Sequence, residues 1–160
     1  MITSPIDSII SDAQANLSEK IKAEVSISDE NVPQVFTLGK KSFIRLLESE
    51  ASAGHFDEFL KVYNGTASSL SVAQITSLLE YFYAKNLRED IKLSDMNAGK
   101  VSKIVAPFII KKINTNKTEK AKDIPTLCKQ MGLESCATNL EALKARWDSL
   151  SPEEKKQFSR

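Results

Sequence analysis

Apolar residues in this chain recur at intervals of three and four, the spacing that places side chains on one side of an α-helix. The first such segment covers residues 4–22, and similar segments follow towards the end of the chain. No stretch alternates apolar and polar residues in the way that indicates a β-strand. The pattern therefore predicts an all-α fold, a single multihelical bundle of about seven or eight helices.

The first two helices have clear start signals. Ser4 precedes a proline and lies three residues before Asp7, so we expect it to cap the first helix. Asp29 is predicted to cap a second helix that ends near residue 52. Gly39 lies inside this second helix, where glycine costs about 1 kcal/mol relative to alanine. Its position predicts either a bend or a close helix crossing.

The next boundaries follow from glycine and from polar caps. A short helix after Gly54 is predicted to end at Asn64-Gly65, a pair typical of left-handed helix ends. Ser71 and Gln74 have the spacing of a capping box and predict a helix that continues to about residue 86. Residues 87–93 are then expected to form a linker.

Residues 94–114 contain the densest apolar run of the chain and predict a central helix that other helices largely enclose. Ser94 is its expected cap. Pro107 lies in the middle and lacks a backbone N–H, so we expect it to kink the helix or split it in two. The apolar residues of this helix are Val101, Ile104, Val105, Phe108, Ile109, Ile110 and Ile113.

Three further helices are predicted in the C-terminal part, after a polar loop over residues 113–122. Asp123 is the expected cap of the first of them, which Gly132 ends. Thr138 and Glu141 have capping-box spacing and predict the start of the second. Ser151 is expected to cap a final turn.

The bulk composition is that of an ordinary globular protein. The chain has 160 residues, with 22 basic and 21 acidic side chains, so its net charge alone implies no polyanionic partner. The length fits one domain, with a core over residues 4–132 and a C-terminal helical extension over residues 133–160. No signal peptide or transmembrane stretch is recognised, so a cytoplasmic location is expected.

Side chains with catalytic or metal-binding chemistry are few. His55, the single histidine, lies near Asp57 and Glu58, but one imidazole makes a poor metal site, and we interpret it as a surface or capping residue. Cys128 and Cys136 are eight residues apart and are read as two reduced thiols. Glycine-rich phosphate loops and the Gly-x-Ser-x-Gly elbow are not found. We therefore expect a non-enzymatic protein without a metal or a cofactor.

Most aromatic residues fall at helical spacing and are predicted to belong to the core rather than to a ligand site. A groove beside the expected kink at Pro107 is a candidate site for an apolar ligand or a partner helix. The aromatic residues in question are Phe36, Phe43, Phe56, Phe59, Tyr63, Phe82, Tyr83 and Phe108.

Charge is unevenly distributed along the chain. Residues 100–122 carry seven lysines and one glutamate, whereas residues 1–99 carry nine basic and 14 acidic side chains. Such a patch is a candidate contact for nucleic acid, anionic lipid or an acidic protein, although lysines without arginine give weak, unspecific phosphate contacts. A solvated helix face and loop are the simpler interpretation. The lysines are Lys100, Lys103, Lys111, Lys112, Lys117, Lys120 and Lys122.

Residues 23–132 resemble the YidB-like family of bacterial multihelical proteins. The resemblance lies in SISDENVPQVFTLGKKSFIRLL, AGHFDEFLKVYNG and VAQITSLLEYFYAKNL, followed by IKLSDMNAGKVSKIVAPFIIKKIN. In that family an apolar helix with an internal proline and a basic end similarly follows a lysine-ended helix and a short loop. The resemblance implies a helical bundle and assigns no catalytic residues.

Taken together, these patterns predict a helical binding or scaffold protein that binds an unknown protein partner or a second copy of itself. The alternative is a weak binder of nucleic acid or anionic membrane through the lysines of residues 100–122.

Overall fold

The computed structural model describes residues 4–115 and 119–158, and its regular elements are helices throughout this described part. The prediction of an all-α multihelical bundle is confirmed. Two short 3-10 turns, Glu134–Cys136 and Lys156–Phe158, accompany the helices. The helices span, in chain order, Pro5–Glu24 (α1), Val32–Ser52 (α2), Phe56–Asn64 (α3), Ser69–Ile91 (α4), Asp95–Thr115 (α5), Ile124–Met131 (α6), Ala137–Asp148 (α7) and Pro152–Lys155 (α8).

Four long helices form a closed ring around the core. α1 packs against α2, α2 against α4, α4 against α5, and α5 against α1. Successive helices of the ring run antiparallel. The chain reverses through short connections between α1 and α2 and between α4 and α5, and through α3 between α2 and α4. α3 lies against α2, α4 and α5, whereas α7 packs on α2 from outside the ring. Each of the four helices thus has an inward side in the core and an outward side of its own.

The interior of the ring is apolar and densely aromatic. Phe43 and Phe59 stack with ring centroids 5.8 Å apart, and Phe56 lies 6.0 Å from Phe59. Six of the eight aromatic residues assigned to the core are buried there, whereas Phe82 and Phe108 are half-buried at its edge. Glu50 is the charged side chain that the described part buries, at 1% exposure on α2.

Several predicted caps are present. The Ser4 hydroxyl accepts the Asp7 N–H at 3.3 Å, and the Asp123 carboxylate accepts the Thr126 N–H at 2.9 Å. Ser151 and Glu154 form a complete capping box at α8. Gly65 and Gly132 end their helices in the left-handed conformation, as expected, with φ of 76° and 77°.

Three predicted starts are wrong. Asn31, not Asp29, precedes α2, and the Asp29 carboxylate instead pairs with Lys22 at 3.3 Å. α4 begins three residues earlier than predicted, because Ser68 caps it by accepting the Ser71 N–H at 3.1 Å. Ser71 therefore lies inside the first turn. α7 follows directly from a 3-10 turn without a side-chain cap, so Thr138 does not open it.

The predicted linker after residue 86 is also wrong, since α4 continues to Ile91. Leu87 is fully buried, so it anchors the last turns of α4 to the core. The chain then reverses through Lys92, whose φ is 60°, and α5 begins after Ser94, whose hydroxyl accepts the Asn97 N–H at 3.1 Å. The connection between α4 and α5 is thus three residues long, which makes the two helices a tight antiparallel hairpin.

α5 runs through Pro107 without interruption, so the predicted split is wrong. Pro107 is exposed on the outward side of α5, where the carbonyl left without its usual N–H partner can reach water. The apolar residues predicted for this helix supply its inward side, with Val101, Val105 and Ile109 fully buried. α5 nevertheless keeps one exposed side, because α1, α3 and α4 cover only its flanks and its inner side.

Gly39 marks a close helix crossing, the second of the two predicted alternatives. A Cβ atom at this position would lie 3.2 Å from the Tyr83 hydroxyl oxygen on α4. Tyr83 is fully buried, and its hydroxyl donates to the Val35 carbonyl at 2.6 Å. Glycine thus lets the tyrosine ring lie directly against the backbone of α2.

Candidate functional site

Three of the predicted patch lysines share the outward side of α5. Lys100, Lys103 and Lys111 are exposed, and at about 100° of rotation per residue they lie within about 80° of one another around the helix. Pro107 lies on the same line. We call Lys100, Lys103 and Lys111 the lysine stripe; along the helix axis it is about 17 Å long.

The other predicted lysines do not join this stripe. Lys112 points to a flank of α5, where its ammonium lies 5.5 Å from the centre of the Phe108 ring. Lys120 and Lys122 are exposed in the connection that leads to α6. Lys117 lies outside the described residues. The structure therefore brings together three of the seven predicted lysines as one surface.

The lysine stripe has no internal counter-charge. Within residues 4–115 and 119–158, Lys100, Lys103 and Lys111 form no ion pair. α5 contains a single acidic residue, Asp95, whose carboxylate lies 3.5 Å from the guanidinium of Arg88. Three ammonium groups thus face solvent together, an arrangement that favours an anionic partner.

An uncharged surface lies on the outward side of α4. Residues 62–79 contain no charged side chain. Leu70 is 68% exposed and Tyr81 is 58% exposed. We call the following residues, which lie within about 100° of one another around α4, the uncharged stripe: Leu70, Ala73, Gln74, Ser77 and Tyr81.

The two stripes belong to one continuous surface. α4 and α5 are neighbours in the ring and form a hairpin, so their outward sides lie next to each other. Counting residues from the turn places Tyr81 level with residue 105 and Gln74 level with residue 112. The uncharged stripe therefore lies alongside Pro107 and Lys111, at an interaxial distance of about 8–10 Å. We call this surface, with both stripes and Met96, the outer face.

A second candidate site is the groove between α2 and α4. It encloses about 560 Å³, and its floor contains Ile44 and Phe82. The guanidinium of Arg45 lies 5.9 Å from the centre of the Phe82 ring. Asn86 donates to the Ser42 hydroxyl at 2.9 Å and fixes the two helices at this point.

The charges of this groove are balanced. Four cations line it, but Lys40 pairs with Asp7 at 2.8 Å and Lys41 pairs with Asp90 at 2.7 Å. Glu48 and Glu89 also line the groove, so their two negative charges balance the two remaining cations, Arg45 and Lys85. The groove therefore favours neither an anion nor a cation as a whole, and its chemistry suits a mixed-charge protein surface.

A smaller cavity of about 370 Å³ lies between α3, α6 and α7. Its lining is acidic overall, but two of its carboxylates are engaged. Asp123 caps α6, and hydrogen bonds from Thr126 hold the pKa of its carboxyl below the usual value. Asp148 lies 3.5 Å from the Lys144 ammonium. Among the described residues no group of three or more potential ligands could hold a metal ion.

His55 takes part in a contact between distant parts of the chain. Its Nε2 lies 2.8 Å from the Phe158 carbonyl oxygen. The Phe158 ring in turn packs edge-to-face against Trp147, with ring centroids 5.4 Å apart. Asp57 and Glu58 follow in the first turn of α3. His55 thus attaches the C-terminal segment to the start of α3 and makes no side-chain cap.

The two cysteines are free thiols. Cys128 is fully buried, and this burial raises the pKa of its thiol to about 11. Cys136 is half-buried in the 3-10 turn before α7. A buried thiol with a raised pKa is a weak nucleophile, so this residue is part of the core.

Sequence reasoning missed the uncharged stripe. Leu70 lies before the predicted helix start at Ser71, and the pattern assigns no role to Tyr81. The signal was nevertheless present, since 18 consecutive residues, 62–79, lack charge while Leu70, Ser77 and Tyr81 recur at helical spacing. Pro107 lines neither the groove between α2 and α4 nor the cavity between α3, α6 and α7, so the groove predicted beside it stays a prediction.

Comparison with known protein families, characterised proteins and solved structures finds no match for this chain. The resemblance of residues 23–132 to the YidB-like family therefore stays a prediction. None of the helices in the described part combines the length and apolar character that crossing a membrane requires.

Proposed function

We propose that the protein is a non-enzymatic helical binding protein that contacts an anionic partner through the outward side of α5. The observation that carries this proposal is the lysine stripe, three exposed ammonium groups without an ion-pair partner in the described part. Surface charges of one sign attract an oppositely charged partner over several ångströms and orient its approach. The four-helix ring supplies the rigid support for the stripe.

Retention on immobilised heparin, a polyanion, tests this proposal. The variant Lys100→Glu, Lys103→Glu, Lys111→Glu is expected to elute at much lower salt than the unmodified protein, because the stripe then repels the column. The matched control is Lys20→Glu, Lys61→Glu, Lys129→Glu, three exposed lysines on α1, α3 and α6. Both variants change the net charge equally, so equal losses of retention would count against a localised site.

A second candidate function is self-association through the groove between α2 and α4. Its balanced charges are self-complementary, since Arg45 and Lys85 of one copy can meet Glu48 and Glu89 of another across a two-fold axis. Light scattering over a range of protein concentrations tests this function. A dimer that Arg45→Glu dissociates is the expected result, and a monomer at every concentration would contradict it.

A further inference from the structure

The exposed apolar side chains of the protein are concentrated on the outer face. Of the four large apolar residues that are exposed in the described part, Leu70, Tyr81 and Met96 lie there, at 68%, 58% and 68% exposure. The fourth, Phe158, belongs to the C-terminal segment and packs edge-to-face against Trp147. Large exposed apolar groups on one surface mark a contact site more reliably than scattered ones do.

These apolar groups alternate with the lysines along the outer face and extend beyond the lysine stripe at both ends, with Met96 before Lys100 and Leu70 beyond the level of Lys111. Met96 lies one turn before Lys100 on the same side of α5, and Lys111 lies alongside the uncharged stripe of α4. Each stripe is about 17 Å long, and the surface is two helices wide. The outer face thus presents lysine ammonium groups and apolar side chains side by side. Asp95, next to Met96 and paired with Arg88, is the one acidic residue of α5.

We infer that the outer face binds the surface of an anionic lipid membrane, with Leu70, Tyr81 and Met96 entering the headgroup region. This inference rests on the proposed function, because it uses the same lysines. Lysines near a membrane are attracted to anionic headgroups without needing a defined geometry. Apolar side chains beside them add a contribution from partial insertion, and tyrosine favours the interface because its ring is apolar and its hydroxyl polar.

The same chemistry fits nucleic acid less well. Nucleic-acid binding combines basic side chains on the phosphates with several aromatic rings that stack on bases. Tyr81 is the one exposed aromatic ring of the outer face in the described part, and Arg88, on the same side of α4, is paired with Asp95 at 3.5 Å. Leu70 and Met96 have no partner in a phosphate backbone. A lipid surface uses all six side chains, namely the three lysines and the three apolar residues.

The test is flotation of the full chain with vesicles of phosphatidylcholine alone and with vesicles in which a third of the lipid is phosphatidylserine. We expect binding to the anionic vesicles, reduced roughly a hundredfold or more by Lys100→Glu, Lys103→Glu, Lys111→Glu, since each lysine contributes about fivefold. The variant Leu70→Ser, Tyr81→Ser keeps the lysines and should bind about tenfold more weakly.

Two controls separate insertion from misfolding and from charge alone. The conservative variant Leu70→Met, Tyr81→Phe should bind as the unmodified protein does, and circular dichroism should show an unchanged helical content for each variant. Lys20→Glu, Lys61→Glu, Lys129→Glu should lose much less affinity than the stripe variant.

The remaining outcomes separately test insertion, membrane binding and the proposed function. Equal binding of the Leu70→Ser, Tyr81→Ser variant and the unmodified protein would exclude insertion. Heparin retention that depends on the stripe, together with no binding to anionic vesicles, would refute the membrane inference and leave the proposed function standing. If the charge-reversal variant of the lysine stripe behaves like the unmodified protein in both assays, the proposed function and the membrane inference are both refuted. Tighter binding to a single-stranded oligonucleotide than to vesicles would favour nucleic acid as the partner.

Discussion

The Tyr83 hydroxyl on α4 donates a hydrogen bond of 2.6 Å to the Val35 carbonyl on α2. This bond is fully buried, and Gly39 leaves the space that the tyrosine ring occupies. Burial raises the pKa of the Tyr83 hydroxyl, so the group stays protonated and remains a donor. The pair fixes the distance between two helices of the ring and, through α4, the position of the outer face.

Tyr83→Phe removes this bond and should lower the free energy of unfolding by about 1 kcal/mol, the net contribution of a typical buried hydrogen bond. Urea denaturation followed by circular dichroism measures the change. A neutral or stabilising effect would show that the ring alone determines the crossing of α2 and α4.

Gly54→Ala should detach or destabilise the C-terminal helices. Gly54 has φ of 78°, and a Cβ atom there would overlap the indole ring of Trp147. The left-handed conformation alone costs alanine about 1 kcal/mol or more. Trp147 is the single tryptophan, so its fluorescence should shift towards the value for an exposed indole.

Gly99→Ala is the matched control for this substitution. Gly99 lies in α5, and a Cβ atom there would have no neighbour within 4 Å. Alanine should therefore stabilise the protein by up to about 1 kcal/mol through its higher helix propensity. An unchanged tryptophan spectrum in Gly54→Ala, or a loss of stability in Gly99→Ala, would contradict these two geometries.

The ion pair between Asp7 and Lys40 should make stability fall in acid. The hydrogen bond from Lys40, followed by that from Ser4, holds the pKa of the Asp7 carboxyl below 3.8. Its contribution is therefore present above about pH 4 and is lost as the pH falls through the lowered pKa. Because both side chains are more than a third exposed, we expect only about 0.5 kcal/mol at pH 7.

The difference in unfolding free energy between the unmodified protein and Asp7→Asn measures this contribution at pH 7 and pH 3. It should be smaller at the lower pH, because part of the Asp7 carboxyl is then protonated in the folded protein. Asp12→Asn is the control, because Asp12 is exposed on the same helix and forms no ion pair in the described part. A difference that does not change with pH would show that the pair contributes nothing through charge.

Cys128 should react with iodoacetamide much more slowly in the folded protein than after unfolding. A thiol with a pKa of about 11 is only about 0.1% ionised at pH 8, whereas a thiol with the ordinary pKa of about 8.5 is about a quarter ionised, and Cys128 is also fully buried. Mass spectrometry of the alkylated chain at successive times distinguishes it from Cys136. Equal rates for the two cysteines would contradict the buried position.

The helical pattern predicts the elements of this fold well, because each long helix has an apolar side that has to be buried. Ser4, Asp123 and Ser151 mark helix starts correctly, since their caps depend on residues three positions away. Asp29 and Ser71 predict the wrong starts, because the helices begin after Asn31 and Ser68, which are polar residues only two or three positions away. Sequence order alone does not decide between neighbouring polar residues.

The candidate site could be predicted only in part, because it depends on two helices that meet in space. The lysine-rich segment is visible in the chain, but Lys112 and Lys111 are adjacent in sequence and point to different sides of α5. The contribution of Leu70 and Tyr81 requires knowledge that α4 and α5 form a hairpin in the ring. A surface assembled from the outward sides of two helices therefore appears only with the tertiary structure.

The most direct measurement uses the unmodified protein and an amine-reactive reagent in the presence and absence of anionic vesicles. Mass spectrometry then reports the modification of each lysine. We expect bound vesicles to protect Lys100, Lys103 and Lys111, while Lys20, Lys61 and Lys129 remain as reactive as in the free protein. Uniform protection of all six, or protection of the second group alone, would contradict the assignment of the outer face as the binding surface.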